Sequence, residues 1–240
     1  MMGIPESTEY FFLVIVLAVV AFFVLGIRAG APTETRLNLW TARATLACVI
    51  WLALTGQIAH EGFLRNFDDM PPNIMILVLV STLLTCALAF SALGLRLING
   101  AGPVWLVAFQ VFRVPVEIFL HNLYEGGFAP VQMTYAGLNF DIFSGLTAPA
   151  MAWLVWRDRA GRPLLLVWNV FCLFLLINIV SIAVLSFPTS LRIFMNEPAN
   201  IFVTYPPFVW LPTVLVQAAL LGHLLVFRWL WSQRKTKVLP

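Results

Sequence analysis

The chain has 240 residues, 61% of them hydrophobic and only 10% charged, with a mean hydropathy of +0.91. Soluble domains carry about a quarter charged residues, so this composition excludes an ordinary water-soluble fold and leaves too little sequence for a separate soluble domain. The net charge of +3 is small, and its basic residues flank the apolar stretches rather than forming a patch, which argues against nucleic acid as a partner.

A cleaved secretory leader begins with a basic segment. Here Glu6 and Glu9 precede the apolar run FFLVIVLAVVAFFVLGI, and the first arginine, Arg28, follows it. That order predicts a first membrane span with its N-terminus outside. A span needs about 20 mostly apolar residues, and seven such segments follow one another: 10–26, 40–59, 73–95, 103–122, 140–157, 163–187 and 208–231. The fourth is interrupted by Gln110, Arg113, Pro115 and Glu117, and a re-entrant segment is the alternative there. The expected fold is all-α: a single transmembrane domain over 1–240, a polytopic bundle of about seven spans.

The connecting segments alternate in charge. Arg28, Arg36 and Arg43 lie around the first connection, Arg96 follows the third span, and Arg157, Arg159 and Arg162 separate the fifth from the sixth. The tail carries Arg234, Lys235 and Lys237, whereas the intervening connections set Glu61, Asp68 and Asp69 against Arg65, hold Glu125 alone, or balance Arg192 against Glu197. Basic segments stay inside, which gives an N-out, C-in topology. Trp40, Trp105, Trp156, Trp229 and Trp231 fall at the inner ends, and Tyr10, Tyr124, Tyr135 and Tyr205 at the outer, as interfacial aromatics do. The outer connections 123–139 and 188–207 are long and rich in Gly, Pro and Asn. No internal repeat of the transporter kind is visible. Ser81, Thr85 and Ala89 are read as packing residues of span three.

The segment VWLVAFQVFRVPVEIFLHN carries the strongest functional signal. On a regular helix Gln110, Arg113, Glu117 and His121 fall within an arc of about 80° and descend roughly 16 Å from the outer end. Charge on a lipid-facing surface is expensive, so this stripe is expected to face the interior, with Arg113 and Glu117 paired at i, i+4. Asn139 or Asp141 starts span five as a helix cap and sets polar groups near the outer end of the stripe. The candidate ligand-binding residues are therefore Gln110, Arg113, Glu117, His121, Asn139 and Asp141. His223 is placed toward the inner side, and Asn169, Asn178, Ser181, Thr213 and Gln217 are read as interhelical hydrogen bonders, Asn178 and Ser181 also as lining that extends the cavity.

No HxxxH or HExxH pair is present, and Cys48, Cys86 and Cys172 have no zinc-like spacing. A zinc site from His60, His121 and Asp141 would need tertiary contacts that the spacing does not supply. No catalytic residue, metal or cofactor is assigned. The runs FRVPVEIFLHNLYEGG, MTYAGLNFDIFSGLTAP and FMNEPANIFVTYPPFVWLPTVLVQ resemble an uncharacterised group of bacterial inner-membrane proteins, over residues from about 104 to the C-terminus. The resemblance implies a bacterial source and the cytoplasmic membrane, and no mechanism.

Three functions are compatible with these residues. The first is binding or transport of a small polar ligand or protons through an outer-facing polar cavity. The second is an accessory or assembly subunit, its partner another membrane protein. An intramembrane enzyme acting on a lipid head group, with Glu117 or Asp141 as acid or base beside His121, comes last, because no nucleophile or metal motif supports it. Reporter fusions after Gly127 and after Val238 are expected to lie on opposite sides of the membrane. Both on one side would contradict seven spans.

Overall fold

The computed structural model describes residues 3–31 and 34–235. The side chains of Arg36, Arg234 and Lys235, and all of Lys237, lie outside this description, so their part in the charge alternation is not addressed by it. Helix makes up 76% of the chain, and there is no strand among the described residues. In chain order the helices are α1 (Glu6–Ala29), α2 (Glu34–His60), α3 (Asn73–Phe90), α4 (Ala92–Ala108), α5 (Arg113–Glu125), α6 (Ile142–Trp156), α7 (Arg162–Val184) and α8 (Val216–Lys235). A 3-10 turn, Phe109–Phe112, joins α4 to α5 in one rod. Six of the resulting seven rods are long and apolar enough to cross a bilayer, while α6 has only 15 residues.

The apolar stretch read as 73–95 is not one helix. Ser91 takes an extended conformation, and its hydroxyl accepts from the backbone N–H groups of Leu93 and Gly94 at 3.1 and 3.3 Å, ending α3 and capping α4. A second break follows at Gly102, whose φ of 69° no other residue adopts cheaply, and Pro103 then restarts the helix. The first ten residues of α4 are thereby turned against the end of α1. The contact is backbone on backbone: a Cβ on Gly100 would lie 2.2 Å from the carbonyl oxygen of Gly26.

Two apolar cores fill the bundle. One, at the end where the long loops gather, is built around Phe12 of α1, Phe119 of α5 and Phe208, with ring centroids 4.6 to 5.7 Å apart. The other, at the arginine-rich end, contains Ile27, Leu97, Val107, Ala148, Trp168 and Leu225. Ser81, Thr85 and Ala89 are buried on α3, which packs against α8.

The two long loops pack on each other. Gln132 donates to the Ser186 hydroxyl and accepts from Asn196, and Asn200 donates to the Ala183 carbonyl. They also share a local repeat that the sequence reading did not register. Val131–Tyr135 and Ile201–Tyr205 each contain a 3-10 turn and a fully buried threonine, Thr134 or Thr204, whose hydroxyl bonds the carbonyl three residues back. Helix α6 follows the first copy. The second leads into a π-turn, Leu211–Leu215, that opens α8.

Replacing Gly100 by alanine drives a methyl group into the backbone of α1. Overpacking of this kind costs about 1–3 kcal/mol, so the Tm of the purified protein is expected to fall by several degrees. Gly161→Ala, whose new Cβ would have its nearest neighbour at 3.6 Å, is expected to leave the Tm unchanged.

Candidate functional site

Between the two apolar cores lies a polar layer centred on Arg113, the first residue of α5, which is 2% exposed. Its Nε donates to Asp141 Oδ2 at 2.6 Å, and its Nη2 forms an ion pair with Asp141 Oδ1. Its Nη1 lies 3.0 Å from His223 Nε2 on α8. Arginine can only donate, so His223 Nε2 must accept. The imidazole therefore carries its proton on Nδ1, which donates to Asn169 Oδ1 at 2.8 Å. Asn169 Nδ2 returns a bond to the His223 carbonyl at 3.1 Å. One guanidinium thus ties α5 to α6 and α8, and through His223 to α7.

Asp141 sits immediately before α6, where a carboxylate faces the positive end of the helix dipole. Its Oδ1 accepts from Ser144 at 3.3 Å, and its backbone N–H donates to Asn139 Oδ1 at 3.0 Å. So Asn139, rather than Asp141, provides the side-chain acceptor at the start of this helix. The other end of Asn139 reaches Glu117, its Nδ2 lying 2.6 and 2.7 Å from the two carboxyl oxygens, and also bonds the Met133 carbonyl at 3.0 Å. Gly145 lets α6 press this close, since a Cβ there would stand 2.9 Å from the backbone nitrogen of Val114.

The expected Arg113–Glu117 pair does not form. Asp141 occupies the guanidinium, and Glu117 has no salt-bridge partner among the described residues. The tighter 3-10 turn from Phe109 to Phe112 also shifts the helical phase just ahead of Arg113. Gln110 is buried one turn away and donates to the Ala219 carbonyl at 3.2 Å across a gap left by Gly222. Of the six residues singled out, Gln110, Arg113, Glu117, Asn139 and Asp141 meet in or beside this layer. His121 does not. It lies toward the loop end, stacked on Tyr135 at 4.5 Å and 3.8 Å from Glu125.

His223 and Asn169 also belong to the layer: Asn169 makes the interhelical hydrogen bond expected of it, to His223 on α8, and thereby holds the imidazole tautomer. Half-buried Asn178 and exposed Ser181 bond the Leu138 and Ile177 carbonyls, and neither lines the cavity beside Arg113. Among the described residues no three His, Cys, Asp or Glu side chains gather as a metal-binding group, and His60, His121 and Asp141 do not converge.

A cavity of about 40 Å³ touches Arg113, Glu117 and Asp141. A water needs roughly 10–15 Å³ measured this way, so the space suits a few waters at most. Leu120, Ile179 and Val216 line both this cavity and a larger apolar cleft of about 260 Å³ between α3 and α7.

Removing one partner from a buried ion pair leaves an uncompensated charge, at about 3–5 kcal/mol, whereas exchanging both for apolar groups is often tolerated. Arg113→Met and Asp141→Leu are each expected to destabilise the protein strongly, and the double variant to recover most of the loss, as read by thermal unfolding in detergent. Two additive losses would contradict the pairing.

Residues 71–231 match the model of a family described as "Domain of unknown function (DUF8737)". The matched stretch contains every residue of the polar layer, whereas α1 and α2 lie outside it. No curated protein and no solved structure matches the chain.

Proposed function

The chain belongs to the DUF8737 family, and on that footing we propose that it is a protein of the lipid bilayer that takes up and releases a proton at Glu117. The observation that carries this reading is a carboxyl group 2% exposed, without a cation partner among the described residues, hydrogen-bonded at both oxygens by Asn139 and bordered by a cavity of water size. Ionisable groups inside a membrane-spanning bundle mark proton and ion pathways more often than not. From Glu117 the polar contacts continue through Asn139 to Asp141, Arg113, His223 and Asn169. The small cavity favours the proton over a larger polar ligand.

Residence in the membrane is supported by the six long apolar helices and by the outward-facing side chains. Leu17, Leu46, Leu83, Phe171 and Phe174 are all more than half exposed, and an apolar surface of that extent is not tolerated in water. The orientation we propose is N-out and C-in, from the charge alternation. The resemblance of the chain from about residue 104 onward to bacterial inner-membrane proteins supports that membrane as the location.

A second reading, an accessory or assembly subunit, is favoured by one observation. Arg113 hydrogen-bonds through Nε and Nη1 and forms an ion pair through Nη2 with groups of the same chain, so its charge is met without a ligand. In that reading the network fixes helix packing and does nothing more.

The two readings differ at Glu117. Infrared difference spectra across a pH jump, on the protein in liposomes, are expected to show the carbonyl band of a protonated carboxylic acid. That band should vanish in Glu117→Gln, which preserves shape and an acceptor for Asn139. A band that survives the substitution, or no band in the parent protein, would remove the proton site and leave the assembly reading in place.

A further inference from the structure

A second feature of the bundle stands apart from the polar layer and lies where α2 leaves its neighbours. Helix α2 packs on α1, and its upper half is fastened to the start of α8 by two reciprocal bonds. Trp51 Nε1 donates to the Thr213 carbonyl and Trp210 Nε1 to the Leu52 carbonyl, each at 3.1 Å. The first is available because the π-turn Leu211–Leu215 releases carbonyls from the regular helical ladder. Below this fastening a cleft of about 390 Å³ lies among α1, α2 and α3.

The cleft is apolar along its length. Phe23 and Ile27 of α1, Ala44 and Ala47 of α2, and Leu84 and Leu88 of α3 line it. From Arg43 to Leu52 it extends over roughly 14 Å of α2, about half of a 30 Å hydrocarbon core. That is the depth of one leaflet.

The arginine-rich end of the same cleft is charged. Trp40 and Arg43 line it there. The Arg96 guanidinium carbon stands 3.7 Å from the Trp40 ring centroid and that of Arg43 5.4 Å from it, so two like charges are held against one indole. Neither forms a salt bridge among the described residues. Arg96 Nη1 is buried and has no hydrogen-bond partner. An unpartnered buried guanidinium nitrogen is costly, and two neighbouring guanidiniums repel unless an anion lies between them. Arginine's fork of donors matches phosphate oxygens.

We propose that this cleft binds one anionic phospholipid, its phosphate held by Arg43 and Arg96 beside Trp40 and one acyl chain lying between α1, α2 and α3. An apolar slot one leaflet deep, with paired guanidiniums at the headgroup end, is complementary to such a molecule and to neither a free ion nor a water-soluble ligand. The lipid fills the space between the helices and neutralises the pair, so it adds to the Trp40–Arg96 contact in joining α2 to the rest of the bundle at this end.

Native mass spectrometry of the full chain, delipidated in a neutral detergent and titrated with phosphatidylglycerol or phosphatidylcholine, tests this. Phosphatidylglycerol is expected to remain bound at one copy with at least tenfold preference. The double variant Arg43→Gln/Arg96→Gln is expected to lose that preference. Ala47→Phe, which fills the slot and leaves both charges in place, is expected to weaken binding of phosphatidylglycerol at least tenfold. Equal retention of the two lipids, full binding by Ala47→Phe, or displacement of the lipid by millimolar inorganic phosphate would overturn the proposal. If the double variant does not fold, the lipid preference of the parent protein and the Ala47→Phe result decide the matter.

Discussion

A guanidinium at the centre of an apolar bundle organises this protein. Arg113 cannot shed its charge, so that charge must be met from within. The chain supplies Asp141 from the start of one helix and His223 from the middle of another. Those two demands fix where α6 begins and how α8 is rotated. Breaking either would cost several kcal/mol, on the order of what holds a small domain together.

The shortness of α6 follows from the same constraint. A helix that must offer its first carboxylate to mid-bundle cannot start at the loop end. Instead the segment between Glu125 and Asp141 folds inward, its buried groups held by Gln132, Thr134 and Asn139. Irregular backbone at such depth is tolerated only where protein surrounds it. The second loop copies part of this device with Thr204, and its π-turn releases the Thr213 carbonyl to Trp51. The polar layer and the placement of α2 are therefore connected through α8.

Much of this was legible in the sequence. The apolar segments announced the helices, and the expense of burying Arg113 announced that it faces inward. Asn139 and Asp141 were recognised as starting a helix beside the stripe. What misled was the assumption of a local partner. An i, i+4 spacing put Glu117 beside Arg113 on α5, but the arrival of Asp141 gave the arginine a different acid. His223 was unremarkable as a lone histidine, since only the tertiary arrangement brings it to a donor 110 positions away. The break at Ser91 was hidden inside a continuous apolar run, where a single capping hydroxyl outweighs hydropathy.

Glu117 then stands out by contrast. It lies next to a cation that is already spoken for, and among the described residues its one side-chain partner is the Asn139 amide. Function and architecture share the same few side chains, so a substitution at Arg113 disturbs both, whereas one at Glu117 separates them. The dependence of everything else on Arg113 is most directly tested at His223. Nitrogen-15 NMR of histidine-labelled protein in lipid reads the tautomer of each imidazole. The account predicts a neutral His223 with its proton on Nδ1 and an unprotonated Nε2 accepting from the arginine. An imidazolium, or a proton on Nε2, would mean that the guanidinium is not bound to this ring and that the polar layer is assembled some other way.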